Sequence, residues 1–332
     1  MSLTSKRSIG QWVWAVVGLV VLGIALWGIK MITGQVTIAD IAKDIHATPS
    51  HLLVLAVLSA AASYVVLIGY DWIATTHLGY RLRLRTLAAA SFGSFTVSHA
   101  LGLTVLTGGT VRYRMYTRAG VRPLDIALII VLCGWTFWLG IITVAGIGLL
   151  VAPDLAAPLE QVLPPSIKAA APSIKDWAGA ILLAGAIGYT LMAWLWRRPI
   201  KLWTYEFVLP DLKATLLQIV IGAIDLAFAG TALYVLLPDA GAVDLLTLLT
   251  IYAVAMVAGA LSHAPGGLGV FELVVVALLP NSEKAGVLAA LVMFRVIYTY
   301  IPFALGLMVI GWTEFLAFRT RRAAPGQAAE AP

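Results

Sequence analysis

Apolar runs long enough to cross a bilayer follow one another along most of this chain, and short polar or basic segments separate them. A spanning helix needs about 20 apolar residues. Residues 12–29, 51–73, 126–150, 178–196, 214–237 and 245–261 approach or meet that requirement, and 285–318 exceeds it but contains Pro302. Two further apolar segments carry the wrong residues for simple spans. The segment 87–106 holds Ser91, Gly93, Ser94, Thr96, Ser98, His99 and Gly102, and the segment 264–280 holds Pro265, Gly266, Gly267, Gly269 and Glu272. Irregular backbone at membrane depth is tolerated only where protein or a watery cavity surrounds it. Both segments are therefore expected to be re-entrant or broken.

Basic residues in the loops then order the spans, because Lys and Arg collect on the cytoplasmic side. Lys6 and Arg7 place the N-terminus there. Arg81, Arg83 and Arg85 precede the first odd segment, and Arg112, Arg114, Arg118 and Arg122 follow it, so both flanks belong inside. A re-entrant hairpin at 87–106 satisfies both. Arg197, Arg198, Lys201 and Lys213 mark another internal loop, and Arg319, Arg321 and Arg322 an internal C-terminus. The expected architecture is an all-α integral membrane protein with about eight transmembrane helices plus the re-entrant or broken segments. It forms one polytopic domain over residues 1–322, with a disordered tail at 323–332. The first apolar run exceeds a signal-peptide core and lacks a small-residue cleavage site, so it reads as a retained span.

Composition agrees. Of 332 residues, 61% are hydrophobic and 11% charged, against about 25% charged in a soluble domain. The formal net charge of +6 sits in the loops, where it reads as topology signal and headgroup contact rather than as a nucleic-acid surface. Cys133 is the single cysteine and the five histidines have no ligand spacing, so no disulfide, metal or cofactor is expected. Nothing resembles a Gly-x-Ser-x-Gly elbow, a P-loop or a zinc-protease helix, and an enzyme is not expected.

An echo links the two odd segments. Ser98-His99-Ala100-Leu101-Gly102 is similar to Ser262-His263-Ala264-Pro265-Gly266, a candidate internal repeat. Gly/Pro-interrupted segments in corresponding halves point to a transporter site. Ionised groups inside spans cost about 2.5–3.5 kcal/mol each, so each needs a reason. Asp71 is either a substrate group or an interfacial residue in water. Asp225, mid-span, is either a site residue or a structural hydrogen-bond partner. Glu272 and Arg295 are either site residues or an ion pair with each other. Gly108 and Gly109, next to Arg112 and Arg114, suggest backbone loosened into an anion-binding nest with guanidinium forks for phosphate. The alternative there is a basic loop that only fixes topology. Tyr113 and Tyr116 suit headgroup level.

Three blocks carry a family resemblance: Gly108-Gly109-Thr110-Val111-Arg112-Tyr113-Arg114-Met115-Tyr116, Ala264-Pro265-Gly266-Gly267-Leu268-Gly269-Val270-Phe271-Glu272, and Phe294-Arg295-Val296-Ile297-Tyr298 with Pro302. They resemble the N-terminal membrane domain of the multiple peptide resistance factor, the bifunctional lysylphosphatidylglycerol flippase/synthase. The resemblance implies a multi-pass protein of the bacterial inner membrane, both termini cytoplasmic, that flips aminoacyl-phosphatidylglycerol or a related charged lipid. Resistance to antimicrobial cationic peptides would follow. It marks Asp71, Arg112, Arg114, Glu272 and Arg295 individually as substrate-binding candidates, alongside Gly108, Gly109, Pro265, Gly266 and Gly267. Asp225 is flagged on burial alone. Arg112 and Arg114 would hold the lipid phosphate while Asp71 or Glu272 faces a cationic headgroup. The sequence ends at Pro332, so the tRNA-dependent transferase domain of the family's synthases is expected to be absent. The alternative reading is a membrane partner of a separately encoded lipid-modifying synthase. A homo-oligomer is also compatible with the sequence.

Overall fold

The computed structural model describes residues 37–102, 106–152, 155–196, 200–202, 205–238, 243–279 and 283–323. The expected first span at 12–29 and, apart from Ala323, which ends the last helix, the expected disordered tail at 323–332 lie outside the described residues.

The described chain is almost wholly helical. After a short helix α1 (Ile38–Ala47) come α2 (Ser50–His77), α3 (Leu84–Leu101), α4 (Thr107–Arg118), α5 (Pro123–Val151), α6 (Ala156–Val162) and α7 (Ala171–Leu195). A two-stranded antiparallel hairpin, β1 (Ile200–Leu202) and β2 (Tyr205–Phe207), pairs Lys201 with Glu206. Next come α8 (Leu212–Tyr234), α9 (Leu245–Leu261), a 3-10 turn at Pro265–Gly267, α10 (Val270–Leu278), α11 (Lys284–Phe294), a π-helical stretch Arg295–Tyr300 and α12 (Ile301–Ala323). Local chemistry sets the boundaries. Pro123 opens α5 at a position where no intrahelical N–H bond is lost. Asp211 caps α8 by accepting from the Ala214 N–H at 2.8 Å, and Asp244 caps α9 by accepting from the Thr247 N–H at 3.0 Å.

Among the described residues, five helical stretches are long and apolar enough to cross a membrane: Ser50–His77, Pro123–Val151, Lys168–Leu195, Leu212–Tyr234 and Lys284–Leu316. Three expectations from the sequence are corrected. The run 245–261 is not a separate span but the 17-residue α9, which turns at Pro265–Gly267 and returns as α10. The segment expected to hold a whole re-entrant hairpin at 87–106 supplies only its first limb, α3, and the return limb is α4, the stretch read from sequence as a basic loop. Pro302 does not break the last span. A π-helical turn just before it supplies the local register change that a residue without an N–H requires.

The two hairpins occupy matching places. Helices α2, α3, α4 and α5 run in the same order as α8, α9, α10 and α11–α12, and the packing follows the same exchange. Helix α3 lies on α12 as α9 lies on α5, while α2 and α8 pack on each other at the centre. The echoed sequences form the two tips. Gly102 ends α3 at φ 71 and Gly266 turns the chain after α9 at φ 59, a region open to glycine and closed to most side chains. The tips touch: a Cβ on Gly266 would lie 3.0 Å from the His99 carbonyl oxygen and 3.1 Å from that of Ala100.

Elsewhere small residues let helices approach closely, the usual device where burial in lipid gives no hydrophobic drive. Gly140 on α5 and Gly222 on α8 meet backbone to backbone, and a Cβ on Gly222 would sit 2.7 Å from the Thr136 carbonyl oxygen. Gly222→Val is expected to cost about 1–3 kcal/mol, read as a lowered melting temperature of the purified protein in detergent. An unchanged melting temperature would show that this crossing is looser than described.

Candidate functional site

Three carboxylates flagged in the sequence lie inside the helical body, and each meets a different environment. Asp71 on α2 is fully buried against Arg112 on α4, which is 1% exposed. The guanidinium donates from Nε to Oδ1 and from Nη2 to Oδ2, both at 2.9 Å. The Tyr116 hydroxyl donates to Oδ1 at 2.7 Å, and Arg112 stacks over Phe95 at 4.6 Å. This bidentate, desolvated pair staples the return limb of the first hairpin to α2. The interfacial, watery alternative for Asp71 does not hold, because the side chain is sealed from the surface.

Gly108 and Gly109 are not a nest. Both lie in regular α4, with Gly108 so close to α3 that a Cβ would fall 2.7 Å from the Ser94 carbonyl oxygen. Both stand in the first turn of that helix, and small size is what the contact of Gly108 with α3 demands. Arg114 is 60% exposed and, with Arg118, reaches Glu314 on α12. The sequence blocks for Arg112 and Arg114 thus split: one guanidinium is committed inside and the other lies at the rim.

The second hairpin carries the other paired carboxylate. Glu272 opens α10, where Oε2 accepts from the Gly269 N–H at 2.7 Å, an anion on a helix N-terminus. Its Oε1 accepts from Arg295 Nε at 2.6 Å, and Arg295 Nη1 donates to the Gly266 carbonyl at 2.8 Å. Arg295 also lies over the Phe271 ring at 5.2 Å. The ion-pair reading of Glu272 and Arg295 holds geometrically, and the pair does more than neutralise charge. It ties the Pro265–Gly267 tip to the π-helical stretch of the last span. Gly267 (φ 65) packs against Gly259, so closely that a Cβ on it would lie 3.3 Å from the Gly259 Cα.

Between the tips and the centre of the bundle lies a small cavity whose lining includes His99, Asp225, Phe137, Tyr252, Met256 and Tyr298. Asp225 on α8 is 7% exposed and has no cationic partner among the described residues. Its Oδ1 accepts from Ser63 at 2.5 Å and its Oδ2 from the Tyr70 hydroxyl at 3.0 Å. Ser63 shares a further hydrogen bond of 2.8 Å with the Tyr298 hydroxyl. The Tyr64 hydroxyl donates to the Tyr298 carbonyl at 3.0 Å and lies 3.2 Å from His99 Nδ1. Since the Tyr64 hydrogen is spent on that carbonyl, His99 Nδ1 is the donor. The His99 ring stacks on Tyr298 at 5.6 Å.

The structure therefore gathers Asp225, the tip glycines, Glu272 and Arg295 around one region, and sets Asp71 and Arg112 apart as a separate staple. Sequence reasoning did not single out Ser63, Tyr64, Tyr252 or Glu314, which carry no local pattern. His99 was visible only as part of the echo, and Tyr298 only as part of a motif block. No group of His, Cys, Asp and Glu residues suited to a metal ion occurs among the described residues.

Comparison with known proteins extends this geometry. The family model for the lysylphosphatidylglycerol synthase TM region matches residues 14–306. An uncharacterized protein of Synechocystis sp., slr0712, is 36% identical over 270 residues, covering 78% of this chain and 79% of its own length. The inner membrane protein YbhN of Escherichia coli K12 is 31% identical over 265 residues, covering 77% of this chain and 78% of its own.

Proposed function

Starting from the fact that the chain belongs to the lysylphosphatidylglycerol synthase TM region family, we propose that it translocates a charged phospholipid, aminoacyl-phosphatidylglycerol or a related lipid, across a bacterial inner membrane. The single observation that carries this reading is the meeting of two glycine-turned hairpin tips beside a polar cavity inside a body of membrane-length helices. Helices α5, α7 and α8 lie between the hairpins, so an odd number of crossings separates them and they open to opposite faces. Each hairpin then reaches halfway in, and the contact between tips is the barrier between the two leaflets. This is the inverted-repeat logic of transporters, with broken helices and a mid-membrane site.

The basic loops orient it. Arg81, Arg83, Arg85, Arg118 and Arg122 lie at the open end of the first hairpin, and the positive-inside rule favours a cytoplasmic open end; a cytoplasmic C-terminus is part of the proposal, and so is a cytoplasmic N-terminus, with 12–29 as the first span. Arg114, exposed at that rim, meets the lipid phosphate first. Arg295 offers its remaining terminal nitrogen, Nη2, deeper in, since Nε and Nη1 are held by Glu272 and Gly266. Arg112 contributes by holding the hairpin on α2 rather than by touching lipid. The matched family model is that of a membrane region, and the chain acts as a transporter and not as the synthase.

Fluorescent phosphatidylglycerol in proteoliposomes tests the proposal. The purified protein should render inner-leaflet label accessible to a membrane-impermeant reductant faster than empty liposomes do, and Glu272→Ala should abolish the difference. Equal rates in protein-containing and empty liposomes, for neutral, anionic and aminoacylated lipids alike, would overturn it.

A further inference from the structure

We infer that Asp225 is a proton-binding site, its carboxylate taking up and releasing a proton in the cavity beside the hairpin tips. What the proton is used for rests on the translocation reading above; that it binds there does not.

The three carboxylates flagged inside the helical body, Asp71, Asp225 and Glu272, differ in their partners. Asp71 and Glu272 each face a guanidinium, a cation that compensates a carboxylate charge. Asp225 is equally enclosed, yet only hydroxyls meet it. An isolated charge in such a place is costly, and a bound proton removes the charge. The hydroxyl partners suit both states. With Asp225 ionised, Tyr298 donates to Ser63 and Ser63 donates to Asp225. With a proton on Oδ1 the chain reverses: Asp225 donates to Ser63 Oγ, Ser63 donates to the Tyr298 oxygen, and the Tyr298 hydrogen is released from Ser63. A hydroxyl can both give and accept, whereas arginine cannot reverse.

The surroundings leave Asp225 as the group that responds. From α2, Tyr64 and Tyr70 face it; from α9, Tyr252; from the π-helical stretch, Tyr298. From α5 the nearest ionisable side chain on that side is Cys133, beside Tyr70. Helix α7 packs through Tyr189, which is turned onto Trp135, and α11 has no ionisable side chain between Ala285 and Phe294. Hairpin α3 brings His99 onto the cavity wall. The cation on this side, Arg295, is already bonded to Glu272 and Gly266. Two turns before Asp225, Gln218 is buried with Nε2 donating to Thr136 at 3.0 Å and its Oε1 without a protein partner. His99 is a second polar group at the cavity itself.

Infrared difference spectroscopy of the purified full chain tests the site. On acidification the wild type should gain a protonated-carboxyl C=O band that shifts in D2O, and Asp225→Asn should lack it. Ser63→Ala keeps the carboxylate and serves if the asparagine variant does not fold: band frequency and titration midpoint should both shift. Identical titration spectra in wild type and both variants would overturn the proposal. In proteoliposomes carrying an imposed pH gradient, wild-type lipid movement should change rate, whereas Asp225→Asn should be insensitive. Lipid movement that ignores the gradient in the wild type overturns the coupling role and leaves translocation intact. A titrating band with no lipid movement in any vesicle sinks the translocation reading and supports the proton site.

Discussion

Replacing Arg112 with alanine should destabilise the protein by about 3–5 kcal/mol, the cost of stranding a buried charge whose partner is removed. Asp71 has no exposed surface and receives two guanidinium nitrogens at 2.9 Å, so only the Tyr116 hydroxyl and the Cys133 thiol, neither of them charged, would remain to it. Removing both charges is a different experiment. Asp71→Leu with Arg112→Met keeps apolar volume and strands nothing, so most of the loss should be recovered. Denaturant or thermal unfolding in detergent, run as a double-mutant cycle, measures this. A loss below about 1 kcal/mol for Arg112→Ala would be the behaviour of a solvent-screened surface pair and would contradict the staple. The double variant also divides the roles proposed from sequence and structure. If it folds and still moves lipid, Arg112 serves the hairpin; if it folds and moves none, Arg112 serves the lipid.

Arg295→Lys is expected to slow lipid translocation about tenfold or more while the protein remains folded. Arginine here uses two nitrogens of a rigid fork, one on Glu272 and one on the Gly266 carbonyl. An ammonium is a compact point charge and cannot span both. The charge on Glu272 would stay compensated, but the bond to the tip would be lost. A hydrogen bond to a charged group contributes about 1.5–3 kcal/mol, and each ~1.4 kcal/mol lost specifically from the barrier-crossing arrangement is tenfold in rate. Initial rates of labelled-lipid exposure check the prediction, with circular dichroism and melting as controls for folding. A lysine variant as fast as wild type would mean that the tip needs only charge at this position.

The membrane class was legible because hydrocarbon imposes a demand that any single helix must meet by itself: enough consecutive apolar side chains. The odd segments were legible for the converse reason, since Ser, Gly, Pro and Glu at membrane depth violate that demand. The helix boundaries around them were harder to read. Helix α4 looked like a cytoplasmic loop because Arg112, Arg114 and Arg118 are basic, and a residue's charge does not announce a buried partner forty positions earlier. Helix α9 looked like a span because 17 apolar residues suit either a short crossing or a re-entrant limb. The turn at its C-terminal end decides between them, and Gly266 at positive φ sends the chain back.

By itself, the sequence determined that the chain lives in a bilayer, that two glycine-rich segments depart from simple spanning helices, that they echo each other, and that Asp71, Asp225, Glu272 and Arg295 demand an explanation. Only the tertiary structure decided which explanation each receives. Arg112 closes on Asp71, Arg295 on Glu272 and the Gly266 carbonyl, and Asp225 is left with hydroxyls. The reason is physical. Burying an apolar side chain depends mainly on its own surface, so composition and periodicity reveal it. The cost of a buried charge depends on what lies within about 4 Å of it, and in this fold those neighbours come from helices far away along the chain.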